Sequence, residues 1–153
     1  MSAPPSHSML RALPTDHRMR LMQLAAEVSI PQGTRLFEEG GRADRFWIVR
    51  TGTIALDMRV PGRRAAVIET LGHNQLVGWS WLLGPHSWHL GAEALTPVRA
   101  YEFDASAVLA ACRDDPELNV TVTRWVGDVV AQRLRSARTR LLDLYAPYGS
   151  GRT

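Results

Sequence analysis

Lysine is absent from this chain, and all eighteen basic residues are arginine. That removes Schiff-base and lysine general-base chemistry outright. Against fifteen acidic residues the formal charge is +3, too mild to point to nucleic acid as a partner. There is one cysteine, Cys112, so an internal disulfide and a cysteine-cluster metal site are both excluded. Cys112 lies in a helical stretch with no histidine close by and reads as a small core or surface residue. No apolar run approaches a membrane span. Residues 1–14 lack the continuous apolar core of a signal peptide, so a cytoplasmic protein is expected. Phosphate-binding loops, nucleophile elbows and metalloprotease motifs are missing too. The adjacent carboxylates Asp114-Asp115 and Glu38-Glu39 fit a helix cap and a turn. A non-enzymatic protein is expected.

What is present is an ordinary globular composition, 45% hydrophobic and 22% charged over 153 residues, enough for one domain with a core. A helix is expected from Thr15 or Asp16 as cap to about Val28, with Pro31 blocking continuation. Residues 30–104 change to short strands separated by glycine-bearing turns every eight to twelve residues or so, which suits a sandwich, barrel or jelly roll. Residues 45–50 form a buried strand with arginines at both ends. Residues 53–60 alternate Ile54, Leu56 and Met58 against Thr53, Ala55, Asp57 and Arg59, which buries one face. A hairpin tip follows at residues 61–64.

Within residues 71–93 lie four glycines, three tryptophans and three histidines. Here Val77, Gly78, Trp79, Ser80, Trp81, Leu82 and Leu83 read as a strand end turning through glycine into a short apolar helix. The free N–H groups of such a helix start suit an anion. From Ala105 the period returns to 3.6. A short helix reaches Cys112, and Asp115 with Pro116 starts a long one to about Leu144. Its apolar positions include Leu118, Val122, Trp125, Val126, Val129, Val130, Leu134, Ala137, Leu141 and Leu144. From Val130 they step by four and three, as in a coiled-coil seam. Arg133, Arg135, Arg138 and Arg140 are assigned to the solvent face.

Several ordered fragments resemble one family. They are Ile30-Pro31-Gln32-Gly33, then Leu36-Phe37-Glu38-Glu39-Gly40, then residues 43–52 (ADRFWIVRTG), then Leu71-Gly72 with Val77-Gly78, and Phe103-Asp104. Together they resemble the cyclic-nucleotide-binding domain of the catabolite-activator and fumarate-nitrate-reductase regulator family, over roughly residues 18–145. The resemblance implies an α+β fold: a β-roll (double-stranded β-helix, or jelly roll) with an N-terminal helix and a long C-terminal dimerisation helix. It divides the chain into a disordered N-terminus (1–14), helix plus β-roll (15–113), long helix (114–146) and tail (147–153). It also implies a non-enzymatic regulator or sensor that works as a homodimer through Val122, Trp125, Val126, Val129, Val130, Leu134, Ala137 and Leu141. Its ligand would be a cyclic nucleotide or another small molecule, at Val77, Gly78, Trp79, Ser80, Trp81, Leu82, Trp88, His89 and Leu90.

Two departures from the family pattern matter. Trp79 stands where nucleotide binders carry the glutamate that takes the ribose 2′-hydroxyl. Trp88 or His89 stands where they carry the arginine that pairs the cyclic phosphate. A charge-assisted bond lost from a buried site costs about 2–5 kcal/mol, and helix-end N–H groups return only ~1–2 kcal/mol. Arg63, Arg64 and Arg99 are candidates to replace the arginine. The tryptophans either plug the pocket, leaving a dimerisation or adaptor domain, or line it for a different ligand. The second departure is length: residues 145–153 hold no recognition helix, so direct DNA reading is not expected. A protein partner remains open. The set His86, His89 and Glu93 suggests a further alternative, a metal-dependent cupin-like enzyme.

Overall fold

Two four-stranded antiparallel sheets, with helices packed at both ends of the chain, make up residues 13–145, the part that the computed structural model describes. The expected disordered N-terminus and C-terminal tail lie outside these residues, except for Leu13, which is buried against the core, and Pro14. In order the elements are α1 (Thr15–Met22), β1 (Ala25–Ile30), β2 (Arg35–Phe37), β3 (Arg45–Thr51), β4 (Ile54–Met58), β5 (Ala66–Leu71), β6 (Leu76–Val77), β7 (Gly91–Ala94), β8 (Val98–Asp104), α2 (Ala105–Asp114) and α3 (Pro116–Tyr145). One sheet has the order β1-β8-β3-β6 and the other β2-β7-β4-β5. This is the expected α+β β-roll with an N-terminal helix and a long C-terminal helix.

The first helix is shorter than its composition suggests. It ends at Met22, and residues 25–30 pair with β8 from Ala25↔Phe103 to Ile30↔Val98. Glu27 and Ser29 are exposed while Val28 and Ile30 are half-buried, a strand's alternation laid on residues of middling helix preference. Neither Thr15 nor Asp16 caps α1. Pro14 occupies the cap position and no side chain accepts there.

Strand β3 is the centre of the core. Phe46, Trp47, Ile48 and Val49 are all buried, between exposed Arg45 and half-buried Arg50. Successive side chains point to opposite faces, so Trp47 meets Phe37 of the other sheet, with ring centroids 5.7 Å apart. Phe46 stacks on the far side between Trp81 at 4.3 Å and Phe103 at 4.6 Å.

The alternation expected along β4 fails at Ala55 and Asp57, which are buried, and at Met58, which is 44% exposed. The register with β5 shifts between Leu56 and Asp57, a bulge that re-aims the following side chains. Asp57 is held by Arg35 of β2 through two bonds, Nη1 to Oδ2 at 2.5 Å and Nη2 to Oδ1 at 3.1 Å. Arg35 also reaches Glu93 of β7 at 3.3 Å. One guanidinium thus ties three strands of this sheet together, and those carboxylate bonds hold its proton more tightly than usual.

Helix α2 starts on Asp104, whose carboxylate accepts the Ser106 N–H at 2.9 Å. Asp115 caps α3 as expected, accepting from the Glu117 and Leu118 N–H groups at 3.1 and 3.2 Å. These bonds, with the Arg20 ion pair at 2.8 Å, hold its carboxyl below the usual range. Among the described residues no helix is long and apolar enough to cross a membrane.

Candidate ligand-binding site

The tryptophan-rich stretch after β6 does not form a helix. Val77 ends β6 in register with Trp47, and Gly78 turns the chain with φ at +94°. A single turn follows, in which the Leu82 and Leu83 N–H groups both donate to the Trp79 carbonyl, at 3.1 and 3.3 Å. The expected helix-start anion site is therefore not built. Trp81 turns inward, fully buried on Phe46, and its indole N–H donates to the Gly78 carbonyl at 3.1 Å. It is a core residue and does not line the cavity below α3, which corrects its assignment to the pocket. Leu82 likewise packs on the core and lies outside the cavity described below.

The second half of the stretch is fixed by backbone pairing with the turn after β2. The Trp88 N–H donates to the Gly41 carbonyl at 2.8 Å, and the Gly40 N–H donates to the Trp88 carbonyl at 2.7 Å. This lays the Trp88 indole on Phe37, with centroids 3.9 Å apart and planes 15° from parallel. The same indole closes over Gly78, where a β-carbon would fall 2.8 Å from two of its ring atoms. Gly78→Ala is therefore expected to lower stability by roughly 2 kcal/mol, through the positive φ and the displaced indole. A urea midpoint equal to wild type would show that neither constraint holds.

Between this surface and α3 lies a cavity of about 310 Å³. Phe37, Leu56, Met58, Ile68 and Glu69 come from the second sheet, and Gly78, Trp79, Ser80, Trp88, His89 and Leu90 from the tryptophan-rich stretch. Val130, Arg133, Leu134 and Ala137 come from α3. Val77 sits beneath in the core. Of the expected ligand residues, the structure thus gathers Gly78, Trp79, Ser80, Trp88, His89 and Leu90. The tryptophans wall the cavity without filling it. Trp79 lies against His89, ring centroids 4.6 Å apart, and His89 Nδ1 is 3.4 Å from the buried Ser80 hydroxyl. Partial burial first, and the Arg133 charge second, push the His89 imidazole below its ordinary range, which favours its neutral form.

Sequence reasoning missed Arg133. It is not on the solvent face: it lines the cavity and donates from Nη2 to the Leu76 carbonyl. Desolvation draws its guanidinium down to about 10, against a smaller upward pull from Glu69. The three arginines considered earlier are elsewhere. Arg63 lines a separate cavity with Arg35 and Asp57, Arg64 is on the exposed hairpin tip, and Arg99 lies beside Glu27 and Arg50. A sequence signal for Arg133 existed: it follows Val126 by seven residues, Val129 by four and Val130 by three, on the stripe that faces the roll.

The dimer seam also divides. Val122, Trp125, Val126 and Val129 are buried in this chain's own core and are not free for a second copy. Leu134 and Leu141 remain 69% and 51% exposed, and Ala137 is exposed as well. Half-buried Val130 marks the boundary. The reason is position along the helix: α3 packs into the core as far as Val129, roofs the cavity from Val130 to Ala137, and is exposed from Arg138 onward.

The candidate metal residues do not converge. His86 Nδ1 is 2.9 Å from the Trp81 carbonyl, His89 faces Trp79, and Glu93 pairs with Arg35. Among the described residues no three His, Cys, Asp or Glu side chains could hold a metal ion together.

A β-roll whose mostly apolar cavity is roofed by a long helix is a fold with a preformed concave site. Comparison with known proteins makes this specific. Residues 27–115 match the cyclic nucleotide-binding domain family. A CRP-like cAMP-activated global transcriptional regulator of Mycobacterium tuberculosis is 30% identical over 117 residues, covering 76% of this chain and 50% of the relative. The chain thus spans about half the length of the curated relatives it matches. The N-terminal domain of a transcriptional regulator from Streptomyces coelicolor A3(2) is 26% identical, with a TM-score of 0.67, covering 84% of this chain and 89% of that one. A cyclic nucleotide-binding domain from Methylobacillus flagellatus KT is 16% identical with a TM-score of 0.78, over 87% and 78% of the two chains. The chain belongs to the cyclic nucleotide-binding domain family, in its catabolite-activator and fumarate-nitrate-reductase regulator group.

Proposed function

We propose that this chain is a non-enzymatic sensor domain that has exchanged cyclic-nucleotide recognition for a different small molecule at the same site, and that it acts as a homodimer through the outer part of α3. The observation that carries this is the cavity itself, open at about 310 Å³ and walled by Trp79, Trp88 and His89, where the resemblance puts Trp79 at the family's ribose anchor and Trp88 or His89 at its phosphate anchor. A retained cavity favours a sensor over a plugged adaptor domain. Exchange of the anchors removes the groups that would recognise ribose and cyclic phosphate.

The output follows from the helix. Leu134 and Ala137 line the cavity and also belong to the exposed seam expected to meet a second copy. A ligand that touches them changes the surface the partner sees, so occupancy and helix packing are linked free energies. The process regulated belongs to whatever acts on that pair of helices.

Titration with cyclic AMP and cyclic GMP tests the exchange. Trp79 and Trp88 line the cavity, so occupancy must alter tryptophan emission, and ligand at 100 times its dissociation constant adds about 2.7 kcal/mol, a shift of several degrees in Tm. The expected result is no saturable change up to millimolar nucleotide. A micromolar, saturable response would return the domain to ordinary nucleotide sensing and overturn the proposal.

A further inference from the structure

The cavity contains a charge that nothing in the described protein neutralises. Arg133 lies on α3 among the apolar residues of the cavity, and it donates a hydrogen bond to a neutral carbonyl, that of Leu76. Among the described residues no carboxylate comes within ion-pair distance of it; Glu69 lines the same cavity and acts on it only at longer range. A guanidinium has five N–H donors in a rigid fork suited to oxyanions. Burial of such a cation without a partner is costly, yet the group stays protonated at pH 7.

We propose that the cavity takes a small organic monoanion with a flat apolar frame, and that Arg133 binds its charged end. This rests on the reading of the cavity as a ligand site. The frame is specified by the walls, which are mostly apolar and include the indoles of Trp79 and Trp88. The charge is specified as single: one cation is available, and Glu69 repels a second negative group. Ser80 and His89 also line the cavity and offer one hydroxyl and one imidazole, enough for an oxygen or two of the ligand and not for a ribose with its hydroxyls. The anion site thus belongs to the long helix and not to the loop where the family's arginine would stand.

Two probes with the same aromatic frame separate charge recognition from simple apolar binding. One is 1-anilinonaphthalene-8-sulfonate, a monoanion; the other is N-phenyl-1-naphthylamine, which lacks the sulfonate. Each is titrated by fluorescence against the full chain, the Arg133→Met variant and the Arg138→Met variant, which alters an exposed arginine on the same helix. The expected result is that Arg133→Met weakens sulfonate binding about 10- to 100-fold while the neutral probe changes less than about threefold. Arg138→Met should change neither, and Arg133→Met should melt no lower than wild type, so that lost binding is not lost folding. Cyclic AMP at millimolar concentration should not displace the sulfonate probe. If both probes bind but Arg133→Met leaves their ratio unchanged, the anion assignment is overturned and the sensor reading stands. If neither probe binds, both fall together. If cyclic AMP displaces the sulfonate, the apolar-frame assignment is wrong.

Discussion

Trp88→Ala will destabilise the domain by about 3–5 kcal/mol, the range seen when a buried aromatic is truncated to a methyl group. Trp88 is 5% exposed, stacks on Phe37 at 3.9 Å and closes over Gly78. Neither neighbour can collapse into the space. Phe37 is fixed in β2, and Gly78 has no side chain to extend. The void would open directly into the existing cavity, so water enters and part of the aromatic surface of Phe37 and Trp47 is re-exposed. The measurement is the urea midpoint with its m value, compared with Trp79→Ala, whose half-buried side chain should cost far less. A loss under about 1 kcal/mol for Trp88→Ala would mean that the indole is a mobile lining and not part of the core. The plugged-pocket idea then regains ground, because a free indole could swing inward.

Arg35→Met is expected to cost about 2–4 kcal/mol, since it leaves the Asp57 carboxylate buried with no cation. Arg35 is itself 30% exposed, so the loss should fall short of that for a fully enclosed pair. The informative comparison is the double variant Arg35→Met, Asp57→Leu. Removing both partners removes the orphan charge, and most of the lost stability should return. Denaturant melts of the two single variants and the double variant give the coupling directly. Additive losses would show that Arg35 and Asp57 act independently, contrary to their two-bond geometry. The consequence reaches the cavity, because β2 carries Phe37 and β4 carries Leu56 and Met58.

What sequence alone could read follows the strength of local signals. Asp115-Pro116 marked the start of α3 because a carboxylate cap and a proline at the first turn satisfy the same backbone constraint. The run from Phe46 to Val49 marked a buried strand because both faces were apolar. By contrast, Ala25 and Ala26 prolonged the helical pattern past Met22, and only the Glu27/Val28/Ser29/Ile30 alternation spoke for a strand whose partner, β8, lies some seventy residues on. At Asp57 the period of two broke at a bulge, and its partner Arg35 comes from another strand. Trp79 and Trp81 looked equivalent in sequence. One turn of backbone sends Trp81 to Phe46 and Trp79 to the cavity, a difference decided by packing. At Arg133 charge masks position: an arginine on a helix with others at 135, 138 and 140 looks like part of the same solvent face, although its phase matches the valines.

The place of Arg133 bears on how such a domain can evolve. Where the charged anchor sits on a loop, ligand affinity and helix position can be adjusted by separate substitutions. Here the same side chain ties α3 to the Leu76 carbonyl and faces the cavity. On the proposed reading, sensitivity and output therefore share one residue. A change that tightens binding also re-seats the helix, and selection must accept or reject the two effects together. Drift in ligand preference within such a lineage would proceed through the aromatic walls, where Trp79 and His89 can vary without moving the helix at all.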